Sequence, residues 1–287
     1  MLADSVRSEL YRLSRNRMAV FWSVLFVPLL FVIGGAAFHL ITKSKMAEMP
    51  DELAAGVAAS IAVTNLGHDL VQAAGIVANG AVLVFMLIGA ATLYAGDYRW
   101  ETWRLITARN SRLNLILGKV GAFKFLTLAG MTIFLIAGLV FSMSGALING
   151  HDITFRFDGG DAADFGLLLL LGYIRIVQYA MIALLTAVLT RSLLATLFVP
   201  VVLGFAQTLL GGPGLAILQW EPTAWQSLLL LPGLAFDALK AMVTAGVGAP
   251  PAPEGLMLKS IVSLTLWLLV PLAGAIAWFN RQDLSKE

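Results

Sequence analysis

The sequence predicts an all-α, polytopic membrane protein with six transmembrane helices. Of its 287 residues, 59% are hydrophobic and only 13% are charged, which is about half the charged fraction of a typical soluble domain. The apolar residues form six uninterrupted runs, each long enough for a helix to cross the hydrocarbon core of a bilayer. Because the runs are continuous and do not alternate residue by residue, helices are favoured over a transmembrane barrel.

The predicted spans carry almost no charge. They are Met18–Ile41, Ile76–Ala95, Phe125–Ile148, Phe165–Leu189, Leu193–Leu210 and Ile261–Phe279. Five of them contain no Asp, Glu, Lys or Arg, and the fourth contains Arg175 alone. Tryptophans such as Trp267 and Trp278 are interpreted as anchors at the membrane interface.

The distribution of cations predicts the orientation of the chain. With six spans, 13 of the 19 Lys and Arg residues fall on the side that carries both termini. The positive-inside rule therefore places both termini in the cytoplasm, with the chain in the cytoplasmic (inner) membrane. The pI of about 9.0 then reflects topology and anionic lipid, so no nucleic-acid partner is expected.

Residues 1–17 are predicted to form an interfacial helix. Leu2, Val6, Leu10 and Leu13 recur at helical spacing, and basic residues occupy the remaining surface. This pattern is typical of an amphipathic helix that lies in the membrane plane. The alternative is a simple N-terminal tail with a cationic anchor.

The connection at 96–119 differs from a simple polar loop. It mixes aromatic and aliphatic side chains, including Trp100 and Trp103, with four arginines. We predict a short helix over about Tyr98–Ala108, a turn near Asn110, and a second helix that runs into the third span. Tryptophans exposed in a loop indicate a surface that contacts a protein partner or the lipid headgroups.

The segment 211–260 is predicted to be an outer, re-entrant region before the last span. Its middle, Trp225–Val247, is apolar but is interrupted by Pro232 and Gly233. Each half is too short to cross a bilayer, so a pair of short helices that dips into the outer leaflet fits the pattern if protein covers its backbone. The whole chain, 1–287, is interpreted as one transmembrane domain.

No catalytic, cofactor-binding or metal-binding motif is found in the sequence. A nucleotide-binding phosphate loop would need glycine at Leu113 and Ser or Thr at Val120. The chain has no cysteine, which removes thiolate sites. His39, His68 and His151 are far apart in sequence, and solvated interface histidines are a simpler interpretation than a shared metal site.

Arg175 lies about ten residues inside the fourth predicted span. Holding an arginine near mid-membrane costs on the order of 3 kcal/mol, so it should face protein or water. Gln178 and Tyr179 lie on the same face of the helix. Arg175 either braces neighbouring helices or, with Gln178 and Tyr179, lines a translocation path for acidic or zwitterionic cargo.

Taken together, these features resemble the permease subunits of type-2 ABC exporters. The likeness covers nearly the whole chain: an amphipathic elbow helix, six spans, a coupling loop between spans two and three, and a broken outer hairpin. Positions that match the motif of the coupling loop are Asp97, Thr102, Trp103, Arg104, Leu105, Arg112, Gly118 and Lys119. Glu101 and Asn110 stand where the family usually has glycine and proline.

The resemblance implies a transport subunit with no ATPase site of its own. A separate soluble ATP-binding subunit would bind ATP and Mg, and a second permease chain, identical or paralogous, would complete the path for a peptide, antibiotic, lipid or similar amphipathic cargo. The coupling residues that it implies are Asp97, Trp100, Glu101, Thr102, Trp103, Arg104 and Ile106. A secondary transporter, which would normally carry titratable groups in its spans, and a non-transporting scaffold or immunity protein are the alternatives.

Overall fold

The structure, a computed structural model, confirms a multi-pass, all-α membrane architecture. It describes residues 2–46, 48, 63–99, 111–245 and 250–282. Six helices within these residues are long and apolar enough to cross a membrane. The predicted number of spans is therefore confirmed.

The described helices fall into a group of six long helices and a group of four shorter ones. The six long ones are α2 (Arg17–Met46), α4 (Gly80–Arg99), α5 (Arg112–Asn149), α6 (Asp161–Thr190), α7 (Leu193–Leu218) and α10 (Leu256–Arg281). The shorter ones are α1 (Leu2–Arg15), α3 (Leu66–Ile76), α8 (Trp225–Leu230) and α9 (Pro232–Thr244). Two strands, β1 (Val63–Asn65) and β2 (Asp152–Thr154), pair in parallel and were not predicted.

The helix bundle has two distinct ends. At the end that we call the α1 end, α1 packs on α5, and Tyr98 at the end of α4 donates a hydrogen bond to Gln282 Oε1 at 3.1 Å. Gln282, just beyond α10, donates in turn to the Val188 carbonyl of α6 at 2.5 Å. At the opposite end, the sheet end, the two strands pack with α3 and α5. Both α1 and the last turn of α10 therefore lie at the same end.

The bounds of all six spans differ from those predicted, and the second and third spans show the physical reasons. The apolar run that begins at Ile76 is divided, because α3 ends there and α4 begins at Gly80. The third span begins at Arg112, where the Ser111 hydroxyl accepts a hydrogen bond from the Asn114 amide at 3.3 Å and so caps the helix. The helix predicted to run from the loop into the third span is therefore confirmed, and at 38 residues it is about 57 Å long.

The buried face of the N-terminal helix includes part of the predicted apolar face and, in addition, two polar residues. Ser5, Glu9 and Leu13 are buried, whereas Leu2 is 43% exposed. The close approach of α1 to α5 depends on glycine, since a Cβ atom at position 121 would lie 2.6 Å from Val6 Cγ2. Burial of the Ser5 and Glu9 face arises from contacts with α5, which hydrophobic periodicity within α1 alone does not reveal.

The break between α8 and α9 confirms the predicted pair of short helices. Pro232 begins α9, and the carbonyls at the end of α8 need partners outside their own helix. Ser263 of α10 donates to the Leu228 carbonyl at 2.5 Å, and Trp267 Nε1 donates to the Leu229 carbonyl at 2.7 Å. Trp267 therefore donates a hydrogen bond to a backbone carbonyl of the hairpin, a role that was not predicted when it was interpreted as an interface anchor.

Candidate functional site

A buried charge cluster joins three helices at the α1 end. It consists of Glu9 and Arg12 from α1, Asp97 from α4 and Lys119 from α5. Arg12 contacts Asp97 Oδ1 at 2.5 Å and Glu9 Oε1 at 3.2 Å. Lys119 Nζ lies 3.4 Å from Glu9 Oε2 and also forms an ion pair with Asp97. The cluster therefore pairs two negatively charged side chains with two positively charged ones.

Three members of the charge cluster are removed from solvent. Asp97 is fully buried, and the exposed fractions of Lys119 and Glu9 are 2% and 4%. Lys119 also donates a hydrogen bond to the Leu93 carbonyl at 2.6 Å. Desolvation of a charge costs several kcal/mol unless partners and hydrogen bonds compensate for it. The equal number of opposite charges supplies that compensation.

Arg12 connects the buried charge cluster to the surface, since its side chain is 45% exposed. Its hydrogen bond to Asp97 raises the pKa of the guanidinium above its ordinary value, against the opposing effect of burial. Arg12 therefore remains cationic at any physiological pH.

The borders of the 100–110 segment are fixed by contacts between helices. On one border, Asp97 belongs to the charge cluster and Tyr98 contacts Gln282. On the other border, Arg112 Nη1 donates to the carbonyls of Phe279, Asn280 and Gln282 at 3.0, 3.0 and 2.7 Å. These carbonyls end α10, so a cation from α5 compensates the negative end of that helix.

Most of the predicted coupling residues lie outside the described residues. These are Trp100, Glu101, Thr102, Trp103, Arg104 and Ile106. The exception is Asp97, which is buried in the charge cluster and does not lie on the surface. Its side chain connects the helix that precedes the segment to α1 and α5.

Arg175 lines a second candidate site, a cavity of about 460 Å³ between α4, α6, α7 and α9. Arg175 lies halfway along α6 and is 9% exposed. Its Nη2 donates to the Tyr179 hydroxyl at 3.3 Å. The guanidinium carbon lies 4.9 Å from the ring centroid of Tyr179 and 5.4 Å from that of Phe236, within the range of cation–π contacts.

The three residues predicted for a translocation path point in two directions. Arg175 and Tyr179 line the cavity. Gln178 faces α10 and donates to the Leu264 carbonyl at 2.9 Å. Asp237 comes from α9. It lines the same cavity, without an ion pair to Arg175 in the described part of the chain.

The three histidines line one cleft at the sheet end, of about 890 Å³, although they are far apart in sequence. His39 packs against Phe141 with ring centroids 4.6 Å apart. Within the described residues, no group of three or more His, Asp or Glu side chains is placed to hold a metal ion. The cleft therefore supplies no metal centre from this part of the chain.

The sequence marks Asp97 and Lys119 as motif positions but shows neither their ion pair nor their pairing with Glu9 and Arg12. The only local signal is the i, i+3 spacing of Glu9 and Arg12, which occurs on many surface helices. The partners of these residues are 85 and 110 positions away along the chain. Such contacts depend on how the helices pack and leave no pattern in one sequence.

Comparisons with known proteins do not assign the chain to a family. No family model matches it, and no curated protein or solved structure does so.

Proposed function

We propose that this chain is the permease subunit of an ATP-driven exporter of the type-2 ABC class. A separate soluble subunit binds and hydrolyses ATP with Mg, and a second permease chain, identical or paralogous, completes the path. The cargo is a peptide, antibiotic, lipid or similar amphipathic molecule. The observation that carries the proposal is the charge cluster, which connects the helix preceding the 100–110 segment to α1 and α5.

The charge cluster supports a mechanical role for this end of the molecule. A force applied to the 100–110 segment acts on α4 and α5, whose ends border it. Asp97 and Lys119 connect those two helices directly, and Arg12 and Glu9 add α1. Closely packed, ion-paired helix ends move together, so a push by a partner on the segment is passed to several helices.

The proposal places the α1 end in the cytoplasm and the protein in the cytoplasmic (inner) membrane. The excess of Lys and Arg at this end supports that orientation. The α8–α9 hairpin then lies on the outer side and re-enters the membrane. Donation by Ser263 and Trp267 to its carbonyls supports this, because backbone groups at membrane depth need protein partners.

The test of the proposal begins with the partner. The tagged full chain, purified from its native membranes in mild detergent, should carry a soluble protein that contains a phosphate-binding loop. The complex should hydrolyse ATP and be inhibited by vanadate. Trp103→Ala should weaken the affinity for that subunit about thirtyfold or more, and so lower its recovery or the coupled ATP hydrolysis, since a buried interface tryptophan often contributes about 2 kcal/mol or more.

A matched control is Trp225→Ala, which removes a tryptophan that is 44% exposed at the sheet end. It should leave both the partner and ATP hydrolysis unchanged. Recovery of no ATP-hydrolysing partner contradicts the proposal. Equal behaviour of the two tryptophan variants contradicts the role of the 100–110 segment.

A further inference from the structure

Arg175, the cation that lines this cavity, uses only part of its hydrogen-bonding capacity within the described residues. Arg175 is 9% exposed, and its Nη1 is buried without a hydrogen-bond partner among the described residues. A guanidinium has five N–H donors. Within the described residues, the side chain of Arg175 makes one hydrogen bond, at 3.3 Å to the Tyr179 hydroxyl, which uses one of these donors. A buried donor without an acceptor is costly, so the site favours an additional hydrogen-bond acceptor.

Surrounding residues hold the guanidinium in place. The rings of Tyr179 and Phe236 lie 4.9 and 5.4 Å from its central carbon. A Cβ atom at position 233 would lie 3.3 Å from Arg175 Nη2, which is a tight contact, so glycine leaves room for the side chain. A planar group fixed in this way is suited to bidentate binding of a carboxylate or phosphate.

Apart from Asp237 and Thr208, the remaining wall of the cavity is apolar. Its other lining residues from α4 and α7 include Leu83, Val84, Leu87, Val201 and Phe205. The volume of about 460 Å³ lies within the usual range for small-molecule sites. A ligand that pairs with Arg175 and also contacts the apolar side chains of α4 and α7 needs an anionic group joined to a hydrocarbon chain.

We infer that this cavity binds an amphiphile through an anionic headgroup, a phosphate or carboxylate, held by Arg175. The hydrocarbon chain lies along the apolar side chains of α4 and α7. Asp237 at the cavity wall repels a second negative charge and so disfavours headgroups of higher charge. As a cargo site the cavity rests on the proposed function, whereas binding itself depends on this chain alone.

The test uses the purified full chain in nanodiscs of neutral lipid and measures equilibrium binding of radiolabelled octyl phosphate. Arg175→Gln should weaken binding about tenfold or more, because hydrogen bonds to charged groups contribute about 1.5–3 kcal/mol. Arg175→Lys should recover only part of the affinity, since it keeps the charge and loses the fork. Octyltrimethylammonium, with the same tail and a cationic head, should not compete.

Asp237→Asn provides a second test, in which binding is expected to become tighter. A misfolded variant would lose binding, so misfolding does not explain such a result. Removing this carboxylate should strengthen octyl phosphate binding about threefold, through loss of repulsion. The matched control, Arg156→Gln, removes an exposed arginine at the sheet end and should change nothing. Equal binding by the unaltered chain and Arg175→Gln, or competition by octyltrimethylammonium, overturns the inference.

Nanodiscs that contain phosphatidylglycerol distinguish the source of the ligand. If the site takes anionic lipid from the bilayer, this lipid competes with octyl phosphate and weakens its apparent affinity. If the site takes free amphiphiles, the affinity stays unchanged. If octyl phosphate does not bind but the ATPase subunit is recovered, this inference alone is refuted. If octyl phosphate binds but no ATPase subunit is recovered, only the proposed function is refuted.

Discussion

At the scale of single residues, the charge cluster shows how buried ions restrict the packing of helices. Lys119 contacts two carboxylates that come from different helices. Two acids and two bases balance each other, so removal of a single member leaves an excess buried charge. An excess charge costs more than the ion pair contributes, because the remaining partner stays desolvated.

Lys119→Met should therefore destabilise the protein by about 3–5 kcal/mol, the usual cost of breaking a buried pair. The double variant Lys119→Met/Glu9→Gln should be less destabilised than the single one, since Arg12 and Asp97 still balance each other. Thermal unfolding of the purified chain in detergent measures both changes. Lys124→Met, which removes an exposed cation from the same helix, is the control. A loss of stability in Lys119→Met no larger than in Lys124→Met would contradict the role of the cluster.

The charged residues of the α1 end can be read from the sequence, but which of them pair with one another cannot. Sequence reasoning assigned Asp97 to a coupling surface, and the structure buries that residue completely. The sequence contains the charge of a side chain but not its neighbours, and here the neighbours come from α1 and α5. Arg175 was different, because one cation in an apolar run is visible in the sequence itself.

At the scale of elements, the hairpin of α8 and α9 depends on the last span. Proline at position 232 ends one helix and begins another, which the sequence predicts from the fixed φ angle of proline. The partners of the carbonyls left over at the break are on α10, 35 and 38 residues later. The break between the helices was therefore predictable from the sequence, whereas the hydrogen bonds from α10 to the carbonyls at the break were not.

Trp267→Phe should test one of these hydrogen bonds. The substitution keeps an aromatic ring and removes the N–H that donates to the Leu229 carbonyl at 2.7 Å. This hydrogen bond is partly buried, and loss of a typical hydrogen bond costs about 0.5–1.5 kcal/mol, more where the acceptor left behind is shielded from water. Hydrogen exchange over residues 225–231 should become faster, as measured by mass spectrometry of the chain in nanodiscs. Trp278→Phe changes a tryptophan that is 50% exposed on the same helix and should leave this exchange unaltered. Equal exchange in the two variants would show that the donated hydrogen bond does not hold the hairpin.

At the scale of the whole molecule, hydrophobicity predicts the number of spans, and the distribution of charge is the basis of their proposed direction. Six apolar helices were predictable because about 20 apolar residues are needed for each crossing. Contacts between the ends of α4, α6 and α10 place these ends together. The cations of the chain concentrate at that end, where anionic lipid headgroups and the positive-inside rule favour the cytoplasmic side.

Single cysteines introduced into this cysteine-free chain should reveal its direction in the membrane. Ser44→Cys and Asp158→Cys lie at the sheet end, where both positions are exposed, so impermeant thiol reagents should label them in intact cells. Asn110→Cys, in the segment that joins α4 to α5, should react only after the membrane is opened. Six crossings require the two groups to react from opposite sides, because α2, α4, α5 and α6 cross the bilayer in alternating directions. Labelling of Asn110→Cys from outside, with Asp158→Cys protected, would invert the proposed orientation and remove the cytoplasmic contact with an ATPase. Labelling of both groups from one side would contradict the six-span architecture itself.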